Sequence, residues 1–175
     1  MFLSVSELEI KKLRFDVAIP PGEIEYLDNI RQAAPVEAQG EAELLGNTLG
    51  EIRVRGHLKT VMQADCDRCL EPSQFPIDAG FDLFYRPAKI APSHAPEVEI
   101  DGGEAEIAFY DGGGLQLEEI LREFIVLSLP MQKVCREDCR GICPACGQNR
   151  NAALCACTRK QVDDRWAALK NLHPN

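Results

Sequence analysis

Residues 134–160, VCREDCRGICPACGQNRNAALCACTRK, contain six of the eight cysteines in this 175-residue chain. The other two, Cys66 and Cys69, form a C-x-x-C motif far upstream. Such a turn presents two sulfurs to one ion, and four thiolates complete a tetrahedral zinc site. The N-terminal residues lack the features of a secretory signal, and a reducing compartment disfavours disulfides. The cysteines therefore predict one or two structural zinc ions.

The spacing of the cysteines allows two divisions into sites. Cys143 and Cys146 lie in CPACG, where proline fixes one φ angle and glycine permits a left-handed turn around a metal. In the favoured division they join Cys155 and Cys157, and the second site consists of Cys66, Cys69, Cys135 and Cys139. Alternatively, Cys135, Cys139, Cys143 and Cys146 form one site. An iron–sulfur cluster could use the same thiols.

Upstream of these cysteines, alternating apolar residues predict a series of β-strands. The predicted strands are 13–19, 36–45, 48–63, 75–85 and a short one at 104–110. A Gly46-Asn47 turn signal separates two of them, and the strands 36–45, 48–63 and 75–85 suggest an antiparallel meander. We also expect a short helix at 24–30 and a loop at 86–96.

Residues 115–129 have the apolar spacing of an amphipathic helix, which Pro130 ends. A second helix is predicted at 163–172. The expected fold class is α+β, in which an antiparallel, partly curled β-sheet carries one amphipathic helix and a small zinc-binding C-terminal module follows. The domain prediction is a β-rich body at 1–130 and a cysteine-rich module with the C-terminal helix at 131–175.

The charge of the chain is unevenly distributed. Its formal net charge is −9, with +4 from residue 131 onward and −13 before it. Long-range attraction to nucleic acid needs a lysine and arginine surplus, so any RNA contact should be local. Its candidate residues are Arg68, Arg136, Arg140, Arg150, Arg159 and Lys160. The acidic body could instead bind a basic protein.

Several classes of function find no support in the sequence. His57, His94 and His173 are isolated, and Gly112–Gly114 lacks the Lys-Ser/Thr of a phosphate loop. No stretch approaches the roughly 20 apolar residues that cross a bilayer. We expect a cytoplasmic, non-enzymatic protein with no small-molecule substrate and no membrane contact.

The chain resembles the YceD family, the large ribosomal RNA subunit accumulation proteins of bacteria and plastids. The matching segments are CDRC at 66–69, LEEILREFIVLSLPM at 117–131, CREDCRGICPACGQNRN at 135–151, CAC at 155–157 and DDRWAALKNL at 163–172. The resemblance carries over Arg68 and all eight cysteines as motif residues.

This resemblance implies a factor needed for 23S rRNA accumulation and large-subunit assembly. Its partner would be 23S rRNA or its precursor particle, contacted directly or through a basic ribosomal protein. Two alternatives remain open at this point: a zinc-dependent protein-interaction adaptor without an RNA role, and a thiol redox sensor.

Overall fold

The computed structural model describes residues 1–26, 29–88 and 107–157. In these residues a six-stranded sheet forms most of the structure, and a smaller sheet has two strands. In chain order the elements are β1 (Phe2–Ser4), α1 (Val5–Leu8), β2 (Leu13–Ile19), β3 (Arg31–Gln32), β4 (Val36–Leu44), β5 (Ile52–Asp65), β6 (Pro72–Pro87), β7 (Ile107–Tyr110), β8 (Gly114–Gln116) and α2 (Leu117–Ser128).

The large sheet has the order β2-β4-β5-β6-β7, and β3 pairs with β5 outside this path. Pairing from β2 to β6 is antiparallel, which confirms the predicted meander. Buried residues alternate with more exposed ones along β2 and β5, as expected for strands with one face on a core. The edge strands β2 and β7 do not pair with each other, so the described residues form no closed barrel.

The prediction of a wholly antiparallel sheet was wrong at β7. This strand pairs with the end of β6 in parallel, with Phe84 opposite Ile107 and Pro87 opposite Tyr110. Parallel neighbours need a connection of about a dozen residues or more, and the chain between Pro87 and Ile107 exceeds that length. A short strand pattern gives no information about the direction of its partner.

The predicted helix at 24–30 was also wrong for the residues described there, 24–26 and 29–30. They form a turn and irregular segment that leads into β3. Ile24 is buried and Ile30 packs against the core, which explains their apolar spacing without a helix. The segment follows Pro20 and Pro21, and is too short for helical propensity to outweigh burial.

The long β5–β6 hairpin organises the molecule. Its register runs from Ile52 opposite Tyr85 to Asp65 opposite Pro72, beyond the predicted strand ends. Arg86 and Pro87 therefore belong to β6 rather than to the predicted loop, most of which lies outside the described residues. The tip of this hairpin carries Cys66 and Cys69.

Helix α2 forms where it was predicted and packs on the large sheet. Its buried residues are Leu117, Ile120, Leu121 and Ile125. Phe124 contacts Phe81 of β6 with ring centroids 5.2 Å apart. Burying each large aliphatic side chain stabilises the fold by about 1.5–3 kcal/mol. The buried face of α2 therefore provides much of the free energy that holds the helix on the sheet. The predicted helix at 163–172 lies outside the described residues.

The chain start adds two elements that the sequence pattern did not predict. β1 pairs antiparallel with β8, and α1 is a single turn after β1. Gly112 has a φ of +73°, and the glycine-rich stretch is a turn before β8, not a phosphate loop. In the described part of the chain no helix combines the length and apolar character needed to cross a membrane.

Candidate metal centres

A tight turn at the tip of the β5–β6 hairpin places two buried thiols side by side. The Cys66 amide donates to the carbonyl of Glu71 at 2.9 Å, and the Leu70 amide donates to the carbonyl of Cys66 at 2.8 Å. Leu70 has a left-handed φ of +62°, which closes the turn. Cys66 and Cys69 are 0% and 4% exposed, so both sulfurs face the protein rather than solvent.

The first cluster forms when the C-terminal segment reaches this tip. Cys135 and Cys139 bring the four Sγ atoms within 4.8 Å of one another. The distances Cys66 Sγ to Cys139 Sγ and Cys69 Sγ to Cys135 Sγ are both 3.8 Å. A tetrahedral ion with metal–sulfur bonds of about 2.3 Å has sulfur–sulfur edges of roughly 3.8 Å. The four sulfurs therefore fit one tetrahedral metal ion.

Backbone and side-chain hydrogen bonds also join the C-terminal segment to the hairpin tip. The Asp67 amide donates to the carbonyl of Lys133 at 2.7 Å, and the Lys133 amide donates to Asp67 Oδ2 at 2.6 Å. The Ile142 amide donates to the carbonyl of Arg68 at 2.8 Å. Arg68 Nη1 donates to the carbonyls of Glu137 and Cys139, at 3.2 and 3.3 Å. The tip and the segment form one hydrogen-bonded unit.

The second cluster is built around the CPACG turn. Cys143, Cys146, Cys155 and Cys157 place their Sγ atoms within 4.8 Å of one another. The Gly147 amide donates to the carbonyl of Cys143 at 2.8 Å, and Gly147 has a φ of +73°. Ile142 and Asn149 pair as an antiparallel bridge at the base of the turn. The four sulfurs could hold one metal ion, and the identity of that metal stays a prediction.

Asn151 supports the first cluster and was missed by the sequence analysis. Its Nδ2 donates to Cys139 Sγ at 3.2 Å, and its Oδ1 accepts from the Arg140 amide at 2.8 Å. A hydrogen bond to a ligand sulfur stabilises the thiolate and orients the ligand. Asn151 is in the segment that follows the CPACG turn, so the second cluster's chain supports a ligand of the first. The only sequence signal was its position inside the cysteine segment.

The thiols of each cluster differ in their tendency to ionise. Burial opposes ionisation of Cys66, yet hydrogen bonds, chiefly from the Cys135 amide, lower its pKa to about 6. Backbone N–H groups, first that of Ala145, lower the pKa of Cys143 to about 6. Burial raises the pKa of Cys135 to about 12, and hydrogen bonding with a neighbouring thiol raises that of Cys157 to about 12. A divalent cation would remove the repulsion that opposes the second ionisation.

The structure groups the eight cysteines in the favoured division and not in the alternative one. Two separate sets of four sulfurs result, one at the hairpin tip and one within the C-terminal segment. The sulfur separations of 3.8 Å in the first cluster are far longer than the roughly 2.05 Å of a disulfide bond. All eight side chains are free thiols.

The predicted cationic residues surround the clusters unequally. Arg68 is engaged with backbone carbonyls, and Arg136 Nε lies 3.2 Å from Asp138 Oδ1. Arg140 and Arg150 are exposed, and no carboxylate of the described residues forms an ion pair with either. Arg159 and Lys160 lie outside the described residues. Arg140 and Arg150 are therefore the two described cations best placed to meet an anionic partner.

Comparison with known proteins shows which family and which relatives the chain is similar to. The family model described as "Large ribosomal RNA subunit accumulation protein YceD" matches residues 54–173. An uncharacterized protein of Mycobacterium tuberculosis is 29% identical over 119 residues, which are 67% of this chain and 54% of that protein. A chloroplastic large ribosomal RNA subunit accumulation protein of Zea mays, named a YCED homolog, is 27% identical over 65% of this chain and 46% of its own length.

An uncharacterized Bacillus subtilis protein is 25% identical over 93% of this chain and 88% of its own length. The chain spans about half the length of the mycobacterial and maize relatives. No solved structure matches the chain. The family match includes both halves of the first cysteine cluster and all of the second. This chain therefore belongs to the YceD family of large ribosomal RNA subunit accumulation proteins.

Proposed function

We propose that this protein is a non-enzymatic ribosome-biogenesis factor needed for 23S rRNA accumulation and assembly of the large subunit. The observation that carries the proposal is the family match over residues 54–173. The printed names of the maize and Arabidopsis thaliana relatives refer to large ribosomal RNA subunit accumulation. We propose the cytoplasm as its place of action.

The proposal assigns a structural zinc ion to each cysteine cluster. Zinc would supply folding energy and charge compensation for the thiolates. Cys66 and Cys69 would hold the hairpin end of the first site, while Asn151 and the Cys135 amide orient its sulfurs through the bonds to Cys139 and Cys66. We further propose that residues 1–130 act as a body to which the module at 131–175 is fastened by this site.

Two exposed arginines are the proposed contact to the precursor particle. Arg140 and Arg150 lie on either side of the CPACG turn, and the Arg150 amide donates to the carbonyl of Gly141 at 2.9 Å. The hydrogen bonds of this segment would hold the two guanidinium groups on a fixed backbone. A guanidinium can bind a phosphate in bidentate fashion, which would compensate locally for the acidity of the body.

Burial of Cys66 and Cys69 argues against a redox-sensor role for these two thiols. Sensor thiols need solvent access as well as a low pKa, and Cys66 is 0% exposed. A zinc-dependent adaptor without an RNA role would share the same fold and clusters. Only the ribosomal RNA readout separates it from our proposal.

The experiment is depletion of the protein followed by measurement of the 23S to 16S rRNA ratio. We expect the ratio to fall, and to be restored by the wild-type chain but only in part by Arg140→Gln/Arg150→Gln. Arg53→Gln is the matched control, because its guanidinium is paired with Asp82 at 2.6 Å on the sheet. An unchanged ratio on depletion would refute the proposal. Full rescue by the double variant would refute the arginine assignment alone.

A further inference from the structure

A cavity on the body, separate from the cysteine clusters in sequence, combines exposed aromatic rings with carboxylates. It lies between β7, β8 and α2 and has a volume of about 510 Å³. Phe2 and Phe109 line it and are 48% and 50% exposed. Exposed rings of this size next to a concavity are typical of a binding surface, since most large aromatics are buried.

The charged residues of this cavity are all acidic. Asp111, Glu119 and Glu123 line it, and no lysine, arginine or histidine does. Within residues 1–26, 29–88 and 107–157, no cation forms an ion pair with any of the three. Glu119 and Glu123 are four residues apart on α2, an arrangement that destabilises a helix when both are charged. Both glutamates are exposed at the surface of α2.

Two carboxylates in another cavity of the sheet are paired with arginines. The cavity between β4, β5 and β6 also contains Glu41 and Asp82, but each pairs with an arginine, Glu41 with Arg55 and Asp82 with Arg53. Those charges are satisfied within the chain. The three carboxylates at the β7–α2 cavity have no such arginine partner in the described residues, so they can meet a cation from outside.

The wall of the cavity also contains a phenol. Tyr85 is only 5% exposed and lines the cavity, and no group in the described part of the chain hydrogen-bonds to its hydroxyl, which is open to solvent. By contrast, the hydroxyl of Tyr110 donates to the carbonyl of Gly50 at 2.8 Å. The Tyr85 hydroxyl can therefore exchange a bound water for a hydrogen bond to a ligand.

The backbone next to the cavity favours an extended occupant. β7 is the last strand of the large sheet, and only its β6 side is paired in the residues described. An unpaired strand edge can accept an extended peptide as an additional strand. Apolar side chains of such a peptide would contact Phe2 and Phe109, while its cationic side chains would reach the three carboxylates.

We propose that the cavity between β7, β8 and α2 binds an extended protein segment in which lysine or arginine alternates with apolar residues. This inference concerns a protein partner and does not depend on the rRNA role or on metal in the cysteine clusters. RNA is disfavoured as an occupant because phosphates would meet three unpaired carboxylates.

The test is titration of the metal-loaded full chain with a fluorescein-labelled octapeptide of alternating lysine and leucine. We expect saturable binding that weakens about tenfold in Glu119→Gln/Glu123→Gln, because two charge contacts are lost. Phe109→Ala should also weaken binding. The matched control is Glu7→Gln/Glu9→Gln, which changes net charge equally at exposed positions that do not line the cavity.

Melting curves and circular dichroism of all variants check that the fold is kept. The proposal would be overturned by absence of binding at millimolar peptide, or by equal weakening in both double variants. Equal binding of a glutamate–leucine octapeptide would also overturn it. So would binding of a ten-nucleotide RNA that shows the same sensitivity to Glu119→Gln/Glu123→Gln.

Discussion

Gly141 allows the C-terminal segment to approach the hairpin tip. Its φ is +68°, and a Cβ at this position would lie 2.8 Å from the backbone oxygen of Arg68. That oxygen accepts the hydrogen bond from the Ile142 amide. A side chain at position 141 would therefore force apart the hydrogen-bonded unit that contains the first cysteine cluster.

We expect Gly141→Ala to lower the free energy of unfolding by about 3 kcal/mol, since backbone strain adds to the clash. Gly112→Ala is the control, because it has a similar φ of +73° with no heavy atom within 4 Å of the new Cβ. It should cost about 1 kcal/mol. Urea unfolding of both metal-loaded variants measures the difference. Equal losses would show that the approach to Arg68 is unimportant.

The cysteines of the candidate sites were predictable from the sequence, because few residue types can bind a metal ion. Cysteine spacing alone favoured the observed grouping, because short pairs must act together on one ion. Asn151 and Gly141 were not predictable as supporting residues, since a hydrogen bond to sulfur or a left-handed φ depends on the path of the whole segment. Sequence alone also could not separate Arg136, which pairs with Asp138, from Arg140.

At the scale of elements, the β4–β5–β6 sheet depends on a close approach of two glycines. Gly40 and Gly56 are opposite each other in the β4–β5 register. A Cβ on Gly56 would lie 2.4 Å from the Gln39 backbone oxygen and 2.9 Å from Phe81 Cζ. The Phe81 ring stacks on Phe15 with centroids 6.4 Å apart. The glycines leave space for this aromatic pair, which joins the sheet to α2 through Phe124.

We predict that Gly56→Ala lowers the free energy of unfolding by about 1–3 kcal/mol through overpacking. Gly80→Ala provides the matched strand control, because its Cβ would be 3.6 Å from the nearest heavy atom. Its effect should stay within about 0.5 kcal/mol. The midpoint of urea unfolding, at unchanged slope, checks both values. A Gly56→Ala protein as stable as the wild type would contradict this account of the sheet.

The prediction of strands succeeded where buried and exposed residues alternate over a long stretch of sequence. β2, β4, β5 and β6 each contain enough alternating residues for the strand period to dominate. The prediction of a helix at 24–30 failed because three aliphatic residues in seven are compatible with both a helix and a buried loop. The parallel direction of β7 was not predictable, since pairing direction depends on the connection and not on the pattern of the strand.

In the whole molecule, the first cluster joins thiols of the hairpin tip to thiols of the C-terminal segment, and the second lies within that segment. The core cluster of the sheet and α2 contains no cysteine, while Cys66, Cys69 and Cys139 form a separate buried cluster. The stability of the body should therefore depend little on metal. The hydrogen bonds of Asp67 and Arg68 alone are too few to offset the entropy of ordering the segment.

Metal removal should release the segment without unfolding the sheet. We expect hydrogen exchange of residues 133–151 to accelerate by at least about a hundredfold in excess chelator, since metal binding contributes most of the folding free energy of such modules. Exchange in β4 and β5 should change little. The exchange of both regions is measured by mass spectrometry on one sample. Equal acceleration in β5 would contradict the separation of the two parts.

We propose that the eight cysteines form two separate four-thiolate zinc sites. Native mass spectrometry of the anaerobically purified chain, with Cys66→Ser and Cys146→Ser as variants, counts the bound ions. We predict two zinc ions in the wild-type chain and one in each variant. No metal, an iron–sulfur cluster, or loss of both ions from either variant would contradict the claim.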